Sequence, residues 1–202
     1  MQPARRLRPL AALAAAVLLA LPAPGAAATV TVGMGTLVFT PEGRSVARGT
    51  TVRWENTSGV GHDVYATAPS GWFSSGAPGG MAAGATFRQA FPAAGTYTYL
   101  CRVHSGAGMT GRIVVPVALA RLTGPVRVRI TVATAGAPDG WRHEIQARRP
   151  GGSAWTSVAM TRATSAIHRP TRSGSWGYRS RLVRVSGGSE ASGWSPVRSI
   201  SV

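Results

Sequence analysis

Short stretches of alternating apolar and polar residues, separated by glycine and proline, run through this chain of 202 residues. Residues 51–55 and 96–99 alternate in this way in the first half, and residues 126–132 do so in the second. A two-residue period is typical of strands with one buried face, and the 26 glycines and 14 prolines supply turns between them. The pattern therefore predicts an all-β protein made of antiparallel sandwiches.

The first half contains a series of such stretches between turn signals. We predict strands at residues 30–32, 36–40, 44–47, 50–55, 61–67, 85–90, 95–100 and 111–116. The segment 68–84 is rich in Gly, Pro, Ser and Ala, so it is predicted to be a long loop.

The first 28 residues have the composition of an export signal. Arg5, Arg6 and Arg8 precede an apolar run from 10 to 21, and three alanines at 26–28 provide a cleavage site. The apolar run is short for a membrane span. We therefore expect an exported protein, located outside the cell, at its surface or in a periplasm.

The single cysteine lies close to other residue types that bind metals. Cys101, His104 and Met109 have the spacing C-x2-H-x4-M, and His62 lies upstream. An exported chain with one thiol forms no internal disulfide, and metal ligation protects such a thiol from oxidation. Two imidazoles, a thiolate and a weak thioether are the ligand set of a mononuclear copper site that transfers one electron. We predict one copper ion per chain on these four residues.

Three flanking segments resemble those of the cupredoxin family of blue, type 1 copper proteins, and most closely its plastocyanin-like members. They are the approach to His62 (39–41 and 46–56), the approach to Cys101 (91–101) and a closing strand (109–115). The resemblance implies a Greek-key β-sandwich with all four ligands at one end. It also implies a one-electron carrier, not an enzyme, with redox donor and acceptor proteins as partners.

The resemblance further implies that His104 presents its ring edge at the surface within a small apolar patch. Candidates for this patch are Met34, Gly35, Gly106 and Ala107. Asp63 follows His62 at a position where many relatives carry asparagine. A carboxylate that points toward the thiolate is expected to lower the reduction potential, whereas one that points to solvent has little effect.

The second half is predicted to form a separate sandwich. We place the cupredoxin-like domain at 29–117, a linker at 118–125 and the second domain at 126–202. The order of its strands and turns is similar to a fibronectin type III domain, which has an immunoglobulin-like β-sandwich and a Tyr-x-Arg-x-Arg-like run in a late strand before a Gly-x-Ser turn. Here the late strand contains Tyr178-Arg179-Ser180-Arg181, and Gly193-Trp194-Ser195 follows.

All 22 basic residues are arginines, and they are unevenly distributed. Residues 121–202 carry 13 arginines and three acidic residues, whereas residues 29–120 carry six and three. A basic half suits an anionic cell-wall polymer, a membrane surface or an acidic protein. The absence of lysine, with abundant Ala, Gly and Pro, also fits coding bias in a GC-rich genome. Nucleic acid is not expected as a partner of an exported chain.

Three alternative functions stay open at this point. Copper storage or delivery differs from electron transfer in releasing the metal readily and lacking reversible reduction. An adhesion module with an accessory copper site predicts binding to anionic polymer that weakens with salt. An enzyme is disfavoured, because only two of the four histidines remain after the copper site and no His-x-His pair exists for a multicopper cluster.

The remaining histidines and tryptophans of the second half have simpler interpretations. His143 and His168 form no metal-binding pattern and are predicted to be ordinary structural residues. Four tryptophans could form a carbohydrate-binding face, but packing in the core or between neighbouring strands is the favoured interpretation. They are Trp141, Trp155, Trp176 and Trp194.

Overall fold

A computed structural model describes residues 28–202 of the chain. The predicted export signal lies outside these described residues except for Ala28. Within residues 28–202 there is no helix with the length and apolar character needed to cross a membrane. Strands make up 53% of the structure and helix 3%, so the all-β prediction is confirmed.

Nine strands form the first sandwich, which we define as residues 29–115. They are β1 (Thr29–Met34), β2 (Phe39–Thr40), β3 (Gly43–Ser45), β4 (Thr50–Asn56), β5 (Tyr65–Ala68), β6 (Ser70–Ser74), β7 (Thr86–Phe91), β8 (Gly95–Leu100) and β9 (Thr110–Val115). One sheet has the order β2-β1-β4-β7, and the other has the order β3-β9-β8-β5-β6. Strand β1 pairs in parallel with β4, and β3 pairs in parallel with β9.

The core of the first sandwich lies between these two sheets. Every second residue of β4 and of β8 is buried, as their alternation predicts. The Trp54 ring is at the centre, with its centroid 5.3 to 6.2 Å from those of Phe73, Phe87, Phe91 and Tyr99. Aromatic pairs at such separations add stabilisation beyond their buried area. This packing fixes the two sheets beneath the loops at their ends.

Two expectations for the first sandwich are wrong. The predicted loop at 68–84 contains β6, which pairs antiparallel with β5. Glycine, proline and serine around Trp72 and Phe73 hide this strand in the sequence, although Phe73 is buried in the core. The strand predicted at 61–67 starts only at Tyr65, because the backbone of His62 pairs with Met81 instead of continuing the sheet.

Seven strands form the second sandwich, residues 118–201. They are β10 (Ala118–Leu122), β11 (Arg127–Thr131), β12 (Trp141–Arg148), β13 (Thr156–Thr161), β14 (Ser165–His168), β15 (Ser175–Arg184) and β16 (Arg198–Ser201). Their sheets have the orders β10-β11-β14 and β13-β12-β15-β16. The core contains aliphatic residues, including Val128, Ile130 and Ile145, together with the rings of Trp176 and Tyr178.

The linker predicted at 118–125 is wrong for most of its length. Residues 118–122 form β10 and pair with β11 from Ala118 to Leu122. The stretch is alanine-rich and has no β-branched residue, so its composition gives little strand signal. The second sandwich therefore begins almost directly after the first. Strand β14 is a further strand that the sequence did not predict.

The two sandwiches touch near the start of β8. Thr96 forms a backbone bridge with Gly193, and its Oγ1 donates a hydrogen bond to the Trp194 carbonyl at 2.8 Å. Trp72 packs edge-on against Trp141, with ring centroids 4.7 Å apart. The second sandwich is therefore attached at the end of β8 opposite to the cysteine.

Candidate metal centre

The loop after β8 carries three of the four predicted ligands. Cys101 follows the last residue of β8 and is fully buried. The chain then forms a 3₁₀ helix, Arg102–Ala107, and Gly108 with a φ of 77° returns it to β9. The Cys101 N–H donates to the Met109 carbonyl at 3.1 Å, and the Met109 N–H donates to the His104 carbonyl at 3.3 Å. These bonds close the loop and hold its residues in one tight turn.

His62 reaches the same end of the sandwich from the segment between β4 and β5. Its N–H donates to the Met81 carbonyl at 3.1 Å, and its carbonyl accepts from the Met81 N–H at 2.8 Å. Gly61 lies against Gly79, because a Cβ at position 61 would be 2.5 Å from the Gly79 oxygen. Only glycine permits this approach. The His62 imidazole is fully buried as a result.

Three possible ligand atoms converge on one point. Cys101 Sγ lies 3.6 Å from His62 Nδ1 and 3.4 Å from His104 Nδ1. The two Nδ1 atoms are 3.2 Å apart. A point equidistant from atoms at these separations is about 2 Å from each, close to usual metal–nitrogen and metal–sulfur bond lengths. One sulfur and two imidazole nitrogens form a donor set that suits copper.

Met109 lies in the same turn as these three residues. It is 1% exposed and belongs to the core of the first sandwich. Its backbone is hydrogen-bonded to both Cys101 and His104. The structure thus brings all four predicted ligand residues to one end of the first sandwich, and the axial role of the thioether stays a prediction.

A chain of hydrogen bonds orients the His62 ring. Ser58 Oγ lies 2.9 Å from His62 Nε2 and donates to Asn56 Oδ1 at 2.8 Å. Asn56 Nδ2 donates in turn to the carbonyls of Val60 and Met81, both at 2.8 Å. With the Ser58 hydroxyl donating to Asn56, its oxygen is available to accept from the Nε2–H tautomer of His62. This leaves a lone pair on Nδ1 for a metal ion.

The roles of Asn56 and Ser58 are not predicted from the sequence. Only their positions point to such a role, because Asn56 ends the clearly alternating strand β4 and Ser58 precedes His62 by four residues. A polar pair just upstream of a predicted ligand is a reasonable candidate for orienting it.

Asp63 points toward the predicted ligands, and not to solvent. Its carboxylate is fully buried, with Oδ1 3.4 Å from Cys101 Sγ. Arg102 donates to it twice, from the backbone N–H to Oδ1 at 2.9 Å and from Nε to Oδ2 at 2.6 Å. The sequence predicts a role for Asp63 beside the ligands but none for Arg102.

Burial changes the acid–base properties of the site in the metal-free chain. Burial raises the pKa of the Cys101 thiol, and contacts with Asp63 add smaller contributions of both signs. Burial also lowers the pKa of His62, and the nearby His104 lowers it further. Both shifts favour the neutral forms. A bound cation favours the thiolate instead, so metal binding releases the thiol proton.

Three of the four candidates for the predicted apolar patch are accessible in the structure. Met34 is wrong, because it is fully buried in the core, whereas Gly35, Gly106 and Ala107 are at least partly accessible. Larger apolar side chains at the same end are 41% to 51% exposed. They are Leu37, Val38, Val60 and Val103.

The position of these four residues follows from their neighbours in the chain. Val103 precedes His104, and Val60 lies two residues before His62. Leu37 and Val38 follow Gly35, whose backbone lies beside the His62 ring. These four exposed apolar residues therefore lie on the segments next to the two histidines, and we call them the apolar rim below.

The histidines of the second sandwich are separate from this centre. His143 is buried in its core, and His168 Nδ1 lies 3.0 Å from the Tyr178 hydroxyl and packs against Trp176. Neither belongs to a group placed to hold a metal among residues 28–202.

Two tryptophans alternate with arginines on the second sandwich. The Arg179 guanidinium lies 4.1 Å from the ring centres of both Trp155 and Trp194. Arg181 lies 4.4 Å from Trp194, and Arg148 lies 5.0 Å from Trp155. These distances are typical of cation–π contacts. We call this set the arginine–tryptophan row. Its internal stacking favours a structural role for these tryptophans over a carbohydrate-binding face.

Known proteins resemble the part of the chain that contains this centre. Residues 26–116 match a family model described as copper binding proteins, plastocyanin/azurin family. The chain is 36% identical to plastocyanin of Capsella bursa-pastoris over 91 residues, which are 41% of this chain and 92% of that protein. It is 37% identical to plastocyanin of Scenedesmus fuscus over 87 residues, or 40% and 89% of the two chains. The solved structure of oxidised plastocyanin from Dryopteris crassirhizoma is 24% identical, with a TM-score of 0.34, covering 43% of this chain and 99% of that one.

Proposed function

Since this chain belongs to the plastocyanin/azurin family of copper-binding proteins, we propose that it is an exported type 1 copper protein that carries one electron at a time. Copper is the cofactor. The observation that carries the proposal is the convergence of Cys101 Sγ with the Nδ1 atoms of His62 and His104, within 3.6 Å of one another. When bound there, copper supplies a one-electron couple, because sulfur favours Cu(I) and imidazole suits both oxidation states.

Each ligand residue has its own part in the proposal. His62, His104 and Cys101 are the close donors, and Met109 supplies a weak axial thioether. Hydrogen bonds fix the His62 ring from behind, and the loop around Cys101 is closed by its own backbone. A site held in this way favours little rearrangement when the electron arrives or leaves. Burial of His62 and Cys101 also leaves little room for a substrate, which favours a carrier over an enzyme.

His104 is the proposed exit for the electron. Its ring is partly accessible, whereas His62 and Cys101 are buried. The apolar rim supplies exposed side chains near this end that a redox partner protein can cover transiently. Donor and acceptor proteins are therefore proposed to dock at this end of the first sandwich.

The second sandwich is proposed to be a separate, fibronectin type III-like domain that begins at residue 118. Support comes from its division into a three-stranded and a four-stranded antiparallel sheet. A sandwich of seven short strands in two sheets is typical of immunoglobulin-like domains. The first domain then spans residues 29–117.

Attachment to an anionic polymer of the cell surface is the second candidate function. Support comes from the arginine–tryptophan row, whose guanidinium groups lie on one face of a half that carries 13 arginines. We expect retention on an immobilised polyphosphate resin that falls steeply with salt. The double variant R179Q/R181Q should elute at lower salt, while Arg44→Gln, an exposed arginine of the first sandwich, should elute like the wild type. Equal elution of all three proteins would show this surface role to be wrong.

The copper proposal is tested by titrating the purified protein with Cu(II). We expect one equivalent to produce an intense visible band from thiolate-to-copper charge transfer, with a matching paramagnetic resonance spectrum and reversible reduction. Cys101→Ser should remove the band and keep the far-ultraviolet circular dichroism of the folded chain. A wild type without the band contradicts the proposal, and a coloured protein that releases copper readily but is not reversibly reduced supports copper handling instead.

A further inference from the structure

A buried carboxylate lies beside the sulfur of the copper site. Asp63 is 0% exposed, and its Oδ1 is 3.4 Å from Cys101 Sγ. In the metal-free chain the thiol donates a hydrogen bond to this oxygen. A metal-bound sulfur has lost that proton, so two negative groups then face each other in a buried site. Like charges at this separation repel strongly where water is excluded.

Arg102 is placed to offset this repulsion. Its Nε donates to Asp63 Oδ2 at 2.6 Å, on the side of the carboxylate away from the sulfur contact. The guanidinium also donates to the Gly76 carbonyl and lies 4.8 Å from the ring centre of Tyr65. These contacts hold the side chain in place although it is 30% exposed. Arg102 is also the residue directly after Cys101, so its positive charge belongs to the same loop as the ligands.

Building on the proposed copper function, we propose that Arg102 is the positioning counter-ion of the site. It pairs with Asp63 so that the carboxylate adds little net charge beside the sulfur, and it ties the ligand loop to the segment that carries His62. The pair keeps the reduction potential above the value that a bare carboxylate would impose. Negative charge near the metal favours Cu(II) over Cu(I), and the guanidinium cancels that preference.

Three variants separate charge compensation from a purely structural contact. Arg102→Gln leaves Asp63 buried without its counter-ion, so we expect the reduction potential to fall by at least about 59 mV. This shift corresponds to a tenfold change in the equilibrium constant of one-electron reduction. Asp63→Asn leaves the arginine unpaired, so we expect the potential to rise. The double variant D63N/R102Q should return close to the wild type, because both charges are gone. Arg88→Gln, an exposed arginine on β7, removes the same charge far from the pair and should leave the potential unchanged.

Chemical unfolding of the copper-free protein supplies a readout that does not depend on the metal. Loss of one member of a buried ion pair is costly because the other charge is left uncompensated. We expect Arg102→Gln and Asp63→Asn each to destabilise the chain, and D63N/R102Q to be more stable than the sum of the two predicts.

The outcomes distinguish this proposal from the copper function. A coloured, reversibly reduced wild type whose potential is the same in Arg102→Gln overturns the counter-ion role and leaves the carrier function standing. A wild type without the copper–thiolate band overturns the carrier function. The unfolding free energies of the two single variants and the double variant then test the ion pair without reference to copper. Additive destabilisation in these variants overturns the pair.

Discussion

His62 in the first sandwich and His143 in the second are equally buried but have different surroundings. The two residues are 0% and 1% exposed, and burial lowers the pKa of both imidazoles. The His62 ring contacts Ser58 through Nε2 and the other site atoms through Nδ1. In the described part of the chain, neither ring nitrogen of His143 has a hydrogen-bond partner. Burial alone therefore does not mark a functional histidine, whereas convergent partners do.

The difference follows from what surrounds each ring. At the metal end of the first sandwich, loops bring polar side chains together and each finds a partner. In the second sandwich, His143 lies on β12 on the same face as the buried Ile145 and Ala147. Strand geometry places it in a largely apolar layer, where the Ala135 backbone lies nearby but neither ring nitrogen has a hydrogen-bond partner among the described residues. An unpartnered buried polar group costs free energy.

The largest effect is expected from breaking the support of His62. Ser58→Ala removes the acceptor of Nε2–H, so the ring loses the bond that fixes its orientation and tautomer. We expect copper affinity to fall by about 10- to 100-fold, as is usual when such supporting partners are lost. Competition with a copper chelator of known affinity measures the change.

Ser105→Ala is the matched control for this prediction. The Ser105 hydroxyl is exposed and donates to the Arg102 carbonyl, so it lies in the ligand loop without touching an imidazole. Equal affinity of the two variants would mean that the backbone beside His62, and not Ser58, orients its ring. In that case the hydrogen bonds of His62 would explain less of its difference from the unpartnered His143.

A smaller effect of opposite sign is expected at His143. His143→Leu replaces an unpaired polar ring with an apolar side chain and should stabilise the protein by about 1 kcal/mol. The lowered pKa of His143 means that the unfolded state binds the proton first, so the wild type loses stability as pH falls below about 6.5. The variant should lose less stability over the same range, as measured by urea unfolding at several pH values.

His168→Leu provides the opposing control. His168 Nδ1 forms a hydrogen bond with the buried Tyr178 hydroxyl at 3.0 Å, so the loss of this ring removes a partner of that hydroxyl and should destabilise the fold. If both leucine variants shift the free energy of unfolding in the same direction, the presence or absence of a hydrogen bond at these two histidines does not explain their effect on stability.

The ligand loop could be predicted because its information is local. Cys101, His104 and Met109 lie within nine residues, and the strand before them alternates clearly. The Asp63–Arg102 pair joins residues 39 apart in the chain. Whether Asp63 turns inward depends on how two loops pack against each other, and no short-range pattern reports that. Of the partners that the sequence did not predict, Arg102 is therefore a long-range one, whereas Ser58 lies only four residues from His62.

The missed strands have a different cause. Strand β6 (Ser70–Ser74) has two aromatic residues, Trp72 and Phe73, within a stretch whose glycine and proline indicate a loop. Strand β10 is held by pairing with β11 and not by its own composition. In both cases tertiary contacts override a weak local preference. The alternation within β4 and β8, by contrast, was strong enough to predict the strands that surround the site.

Strand β8 separates the junction of the two sandwiches from the candidate metal centre. The second sandwich is fastened beside its first residues, and Cys101 follows its last. Six extended residues span about 20 Å. The candidate metal centre therefore lies about that far from the junction, so a protein that docks at the apolar rim would not need to touch the second sandwich.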